Sequence, residues 1–266
     1  MTTTLDISRP SPHVAHVWLN RPEVRNAFND GVITELAQAF ADLAADGELR
    51  AIVLGGHGKA FCAGADLTWM KQMAGYDWEQ NRADAQRLAD TLWAIHSCPL
   101  PVVARIHGDC YAGGVGLAAV CDVRIAAQGV TFCLSEARLG LLPATIGPYV
   151  IRAIGESAAR RYFTTAERFG AAEAHRIGLV HDAVAADGLD AAVEAIVAAL
   201  VVNGPQAVRA CKRLVLDLAG APLGAELRAD TARRIADIRA SDEGREGVRS
   251  FLEKRPPGWL APHTAE

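Results

Sequence analysis

Two glycines, Gly113 and Gly114, stand directly before the small apolar run Val115-Gly-Leu-Ala-Ala-Val120, and this junction constrains the fold more than any other stretch. Residues without a Cβ let one backbone come close to another, or to a ligand. The segment that follows, FCLSEARLGLLP, holds one acidic side chain, Glu136, among apolar neighbours. Flanked by Phe132, Leu134, Leu139 and Leu141, that carboxyl is expected to be partly desolvated, which raises its pKa and suits it to proton transfer near neutral pH. The glycine pair then reads as backbone donors for a developing negative charge, with Glu136 as the proton-transfer group beside it. Both features also admit a plainer reading: glycines for close packing, and Glu136 in a salt bridge with Arg138.

Around this centre the chain alternates short apolar runs with helical patterns. Val14–Leu19 alternates and predicts a strand ending at the turn Asn20-Arg21-Pro22. Asn29-Asp30 predicts the N-cap of a helix with Val32, Ile33, Leu36, Phe40 and Leu43 on one face. Ala51–Leu54 and Val102–Ile106 read as buried strands. Between them lie the glycine-rich GGHGKAFCAGADL, residues 55–67, and a helical pattern over 77–96 that Pro99 and Pro101 stop. Gly114–Val120 predicts a short helix. Tyr149–Ile154 and Ser157–Thr164 predict two more, separated at Gly155. Ala171–Ile177 reads as a helix closed by Gly178, and Leu179–Val184 as a strand. From Leu189 the chain is nearly all helix, broken at Asn203-Gly-Pro205 and Gly220-Ala-Pro222. That shift places a boundary near residue 200, dividing the chain into 1–200 and 201–266. The second part carries few chemical groups and reads as a packing element, against another subunit included.

Composition narrows the function classes. The chain has 266 residues, 50% hydrophobic and 22% charged, with a formal net charge of −4. An acidic balance without a basic patch argues against a nucleic-acid binder. No segment approaches ~18 uncharged apolar residues, and the N-terminus lacks the pattern of a secretion signal, so neither a membrane span nor export is expected. The six cysteines form no CxxC pair. They read as reduced, buried thiols of a cytoplasmic protein. The eight histidines, His263 among them, show no metal-ligand spacing. His107, beside Gly108, is a candidate pocket residue. No GxGxxG, Walker loop or HExxH is present, so nucleotide and zinc-protease readings lack their motif. Ala65 and Gly113 are candidates for a shared role, since two N–H groups aimed at one point would form an oxyanion hole.

The motifs LNRPEVRNAF (19–28), GKAFCAGADL (58–67), HGDCYAGGVGLAAVCDVRIA (107–126), SEARLGLLP (135–143) and FLEKRPP (251–257) stand in the order of the markers of a known family. Across nearly its whole length the chain resembles the crotonase superfamily, also called the enoyl-CoA hydratase/isomerase family. LSEARLGLLPATIGPYVIRAIGE most resembles the branch that hydrates 3-methylglutaconyl-CoA and related glutaconyl thioesters in leucine and terpene-acid breakdown.

The resemblance implies an α/β crotonase fold: a spiral of ββα units over 1–200, then a helical C-terminal region over 201–266 that forms trimers, two of which usually pair as a hexamer. It implies an acyl-CoA thioester as substrate, with no metal and no cofactor beyond the CoA that the substrate carries. The N–H groups of Ala65 and Gly113 would be the oxyanion donors. Ala63, Ala65, Asp66 and Leu67 would line the CoA site, and Gly114 would be among the substrate-binding residues. Arg25 stands where a phosphate-binding basic residue is often found. Phe251 and Lys254 match positions that reach CoA, often across a subunit boundary.

One position departs from the family pattern. Two-carboxylate hydratases carry Glu where this chain has Gly116, so Glu136 stands without its usual partner. A single base suffices to move a double bond from C3–C4 to C2–C3, which points to an isomerase. The branch resemblance points to hydration, with Gly116 making room for the 3-methyl group and Arg138 facing the distal carboxylate. The leading expectation is therefore an enoyl-CoA hydratase-type lyase. The alternatives are a Δ3,Δ2-enoyl-CoA isomerase and a CoA-binding homologue with little catalysis.

Overall fold

A computed structural model describes residues 4–260; His263 and the ends of the two expected regions, residues 1–3 and 261–266, lie outside the described residues. The chain divides into two compact units, Met1–Val197 and Ala198–Glu266.

The first unit is built on two sheets. Its strands are β1 (Leu5–Ser11), β2 (Val14–Leu19), β3 (Ala51–Gly56), β4 (Ala60–Cys62), β5 (Val102–Ile106), β6 (Asp109–Tyr111), β7 (Val123–Ala127), β8 (Thr131–Cys133), β9 (Arg168–Gly170) and β10 (Asp182–Val184). The larger sheet runs β1-β2-β3-β5-β7-β10 and the smaller β4-β6-β8-β9. Successive strands therefore alternate between sheets: β3 then β4, β5 then β6, β7 then β8. This is the expected spiral, a mixed α/β fold in which each turn adds one strand to each sheet. All pairings are parallel except β1 with β2 and β8 with β9.

Helices cover the turns. They are α1 (Asp30–Ala45), α2 (Leu67–Met73), α3 (Trp78–Ser97), α4 (Gly113–Ala119), α5 (Gly147–Thr165) and α6 (Ala171–Arg176), with α7 (Leu189–Val201) beginning in the first unit. The Asn29 side chain accepts the Val32 N–H and so starts α1, whose Val32, Ile33, Leu36, Phe40 and Leu43 are buried. Each such side chain stabilises the fold by about 2 kcal/mol relative to exposure. Asp77 and Gln80 form a capping box that starts α3. Every residue of β3 is buried, as its unbroken apolar run requires.

The two helices expected around Gly155 are present within α5, separated by a kink where Gly155 takes φ 75°, ψ 162°. One expected strand is revised. The strand expected over Leu179–Val184 is confined to Asp182–Val184, because the Leu179 and Val180 N–H groups turn back to the Ala174 carbonyl. Cys62, Cys98, Cys110, Cys121 and Cys133 are buried thiols, whereas Cys211 is exposed.

The second unit is helical, with α8 (Pro205–Leu218), α9 (Ala225–Ala240) and α10 (Asp242–Leu252). The breaks fall at Asn203-Gly-Pro205 and Gly220-Ala-Pro222 as the sequence predicts. Among the described residues, no single helix is long and apolar enough to cross a membrane.

Candidate active site

Strands β4, β6 and β8 are adjacent and parallel, with Cys62 beside Cys110 and Tyr111 beside Cys133. Parallel strands end along one edge, and the residues just past those ends converge there. Ala65 follows β4, Gly113 follows β6 and Glu136 follows β8. Three candidates far apart in the sequence are thereby brought to one sheet edge.

Phe28 ties the first two together. Its N–H donates to the Gly64 carbonyl at 2.6 Å and its carbonyl accepts the Asp66 N–H at 2.8 Å, a parallel bridge centred on Ala65. A Cβ built on Gly113 would lie 2.9 Å from the Phe28 ring, and one on Gly64 would lie 3.8 Å from the Gly113 nitrogen. The loop of Ala63, Gly64 and Ala65 thus packs against the start of α4. Neither the Ala65 nor the Gly113 N–H bonds to another backbone group among the described residues. Both are free to bind an external oxygen.

Ala112 makes the corner between β6 and α4 in one residue, at φ 47°, ψ −119°. A side chain with a Cβ is strained there by about 1–3 kcal/mol. The corner is fixed at both ends: the Ala112 N–H donates to the Cys133 carbonyl at 2.8 Å, and its carbonyl accepts the Val115 N–H at 2.9 Å. Because the peptide is trans, the Gly113 N–H points opposite to that carbonyl, away from the helix. No sequence pattern marks Ala112 as special.

Glu136 opens the 3-10 turn Glu136–Leu139. Burial pushes its carboxyl above the ordinary value, against a smaller lowering from its own N–H. Its Oε2 is buried and has no hydrogen-bond partner among the described residues. The expectation of a desolvated acid is met, but only two of the four apolar neighbours named for it are buried. Phe132 and Leu134 are buried, whereas Leu139 and Leu141 are 59% and 55% exposed.

Other assigned residues do different work from that expected. Asp66 is buried and caps α2, accepting the Thr68 N–H at 2.7 Å and the Trp69 N–H at 3.4 Å. Its other oxygen meets Arg21 at 2.8 Å. Burial alone would raise this carboxyl, but the Thr68 N–H and Arg21 outweigh it and hold it below the ordinary range. Arg21 also donates to the Ala27 carbonyl at 2.8 Å, so the pair fixes the loop around Ala65 rather than presenting a carboxylate to a ligand. Replacing Asp66 with Asn is expected to cost about 3 kcal/mol, read as a lower melting temperature at neutral pH. The stabilisation from ionised Asp66 is present above its unfolded pKa and is lost as pH falls through the lower folded value. The gap between the variant and the parent should therefore close in strong acid.

Arg138 donates to the Ala166 carbonyl at 2.6 Å and makes no ion pair with Glu136 among the described residues. The salt bridge considered for it is corrected: it holds the left-handed cap of α5 instead. Gly116 is corrected too. A Cβ there would lie 2.0 Å from Ile146 Cγ2, so the room beside Gly116 is already filled by protein and cannot house a substrate methyl group. Gly114 is a close-packing glycine, with a built Cβ 2.5 Å from the Cys62 carbonyl oxygen. His107 lends Nε2 to the Gly58 carbonyl at 3.1 Å, and burial lowers its pKa.

Asn26 was not singled out from the sequence. It is 1% exposed, in the left-handed region, and its amide donates to the carbonyls of His57 and Ala60 at 2.8 Å each. It locks the 19–28 motif to the glycine-rich loop. Arg25 beside it is exposed, its carbonyl accepting the Ala63 N–H at 3.0 Å. Leu67, the first residue of α2, is 75% exposed. Phe251 and Lys254 belong to the second unit, where Phe251 is 81% exposed and Lys254 has φ 55°. Among the described residues no group of His, Cys, Asp or Glu is arranged to hold a metal.

The family signature described as enoyl-CoA hydratase/isomerase matches residues 10–262. The chain belongs to the enoyl-CoA hydratase/isomerase family. It is an enzyme of that family, and its fold matches solved members. A crystal structure of an enoyl-CoA hydratase from Shewanella pealeana is 40% identical, with a TM-score of 0.93 and 96% of each chain covered. The mevalonyl-coenzyme A hydratase sidH of Aspergillus fumigatus is 29% identical over 95% of this chain and 93% of its own. The mitochondrial Delta(3,5)-Delta(2,4)-dienoyl-CoA isomerase of Mus musculus is 38% identical over 52% of this chain and 45% of its own.

Proposed function

We propose that this enzyme adds water across the C2–C3 double bond of a branched enoyl-CoA thioester, with 3-methylglutaconyl-CoA as the first candidate. The reading rests on one observation: Ala65, Gly113 and Glu136 follow the ends of three neighbouring parallel strands. The thioester oxygen takes the two N–H groups that have no internal backbone partner. Water oxygen bonds to C3 while its proton passes to the Glu136 carboxylate. The C2–C3 π pair moves to the thioester oxygen as an enolate, where the N–H bonds strengthen as charge develops. C2 then takes the proton from Glu136 and the thioester re-forms. The reaction needs no group beyond thioester and water. A branched substrate is supported by the likeness to a hydratase named for mevalonyl-CoA.

A second reading has support in the single carboxyl. Glu136 would remove a proton from C2 and return it to C4, an isomerisation that needs no activated water. Absorbance at the conjugated enoyl-thioester band separates the two, with 3-methylglutaconyl-CoA and 3-hexenoyl-CoA as substrates. Hydration is expected with the first. Turnover of the second alone would overturn the hydratase assignment.

Arg25, Ala63 and Leu67 are proposed to border the CoA moiety, with Phe251 and Lys254 of the C-terminal unit reaching the CoA of a neighbouring subunit. That unit is proposed to form the trimer. None of the residues of α8 or α9 is buried, and Cys211, Leu214, Ile235 and Ile238 line an apolar cavity of about 380 Å³ between them. Light scattering should give three or six times the chain mass of 28.2 kDa; a monomer would exclude the assembly.

A further inference from the structure

We infer that Ile146 keeps this site to one carboxyl, by filling the volume into which any side chain at position 116 would project. The inference deepens the reading in which Glu136 carries the proton transfers. Gly116 lies three residues after Gly113 on α4, so the two share a face of the helix. A Cβ on Gly116 would stand 2.0 Å from Ile146 Cγ2 and 2.5 Å from Ile146 Cβ, but 3.6 Å from Ile146 Cα. The first two distances forbid a side chain; the last is ordinary contact. Only glycine at 146 would therefore clear the space, since even alanine keeps the Cβ.

Ile146 has little freedom to retreat. It is 2% exposed. Its carbonyl accepts the Tyr149 and Val150 N–H groups at 3.1 Å each, starting α5. The next residue, Gly147, donates to the Pro143 carbonyl at 2.8 Å, and Leu141 donates to the Glu136 carbonyl at 3.1 Å. Glu136 and Ile146 thus sit on one hydrogen-bonded run of chain. Moving Ile146 aside would drag the turn that carries Glu136. The missing second acid is more than a substitution at position 116: it is a filled volume, and the filling residue is tied to the acid that remains. Water activation and protonation of C2 both fall to Glu136 because an apolar side chain occupies the other approach.

Four variants test this: Gly116→Ala, Ile146→Gly, and the doubles Gly116→Ala/Ile146→Gly and Gly116→Glu/Ile146→Gly. Gly116→Ala should lower the melting temperature, and Ile146→Gly should recover part of that loss in the double, a non-additivity expected only where the two side chains compete for space. With crotonyl-CoA, Gly116→Glu/Ile146→Gly should hydrate at least tenfold faster than Ile146→Gly, with little change in KM and an added ionisation in the pH–rate profile. A Gly116→Ala protein that melts like the parent would overturn the packing claim. A folded Gly116→Glu/Ile146→Gly protein with the rate and pH profile of Ile146→Gly would overturn the catalytic claim. Failure of the parent to hydrate any enoyl thioester would instead sink the proposed reaction, and the melting data would still decide whether Ile146 fills the space.

Discussion

Replacing Glu136 with Gln is expected to lower turnover by roughly 10²–10⁴-fold, the usual contribution of a positioned acid/base group, while leaving the affinity for a saturated acyl-CoA unchanged. The amide keeps the shape of the side chain but neither accepts nor returns a proton. The oxyanion donors belong to Ala65 and Gly113 and are untouched, so the loss should appear in kcat rather than in the dissociation constant. The same variant should be more stable than the parent at neutral pH. Burial raises the Glu136 pKa in the folded state, so its contribution to stability is fully present below the unfolded value, near 4.3 for a free Glu, and is lost as pH rises through the folded value. The parent therefore carries a penalty at pH 7 to 8 that the amide avoids. Melting curves at pH 4 and pH 8 should show the variant's advantage only at the higher pH. A Glu136→Gln enzyme within threefold of parental turnover would remove Glu136 from the chemistry. A stability gain that persists unchanged at pH 4 would remove the ionisation argument.

A stability gain coupled to a loss of activity is what a functional carboxyl in a dry place should show. Among the described residues the two buried acids have partners, and the half-buried Glu136 contrasts with them. Asp66 is held by Arg21 and two backbone N–H groups, and the buried Asp84 by Arg87. Glu136 alone of these three has a buried oxygen without a partner among the described residues.

Much of this was legible in the sequence, and the parts that were not share a physical cause. The long apolar or amphipathic runs, β2, β3, β5, α1, α3 and the C-terminal helices, announce themselves by period and cap. The smaller sheet does not. Strands β4, β6 and β8 are three residues each, too short to show alternation, yet their alignment is what gathers the site. Motif resemblance named Ala65, Gly113 and Glu136 as one site, and each follows one of these strands, but it carried no information on why they would meet. The misreadings arose where a partner lies far along the chain or on the backbone. Asp66 looked available because Arg21 is 45 positions away. Arg138 looked like a carboxylate partner because a carbonyl such as that of Ala166 has no signature in sequence. Gly116 looked like empty space because a missing side chain is visible in a sequence and the residue that replaces its volume, Ile146, is not. β1 escaped notice for another reason: as an edge strand with mostly exposed residues it has no apolar alternation.

Gly114→Ala is expected to damage both the fold and the rate. Its Cβ would stand 2.5 Å from the Cys62 carbonyl oxygen and 2.9 Å from Cys62 Cβ. Both contacts are below what real Cβ atoms show, and the first is to backbone, which has no rotamer to escape into. Cys62 is 0% exposed and paired across the sheet with Cys110, so β4 cannot give way alone. The start of α4 must move off the strand. That movement separates the Gly113 N–H from the loop that carries the Ala65 N–H, and two donors aimed at one oxygen do not tolerate it. A displacement of ~1 Å in a positioned group costs on the order of 10²-fold in rate. Overpacking should cost about 1–3 kcal/mol of stability, which for a chain of this size is a drop of several degrees in melting temperature. Gly129→Ala is the matched control: its Cβ would meet nothing within 4 Å, and it should leave both turnover and melting unchanged. The sign of the stability change then separates the two active-site variants, since Glu136→Gln loses rate while gaining stability and Gly114→Ala loses both. A Gly114→Ala enzyme that melts several degrees lower yet turns over at the parental rate would show that the distance between β4 and α4 does not set the donor geometry, and would break the link between the close packing of that glycine and the oxyanion site.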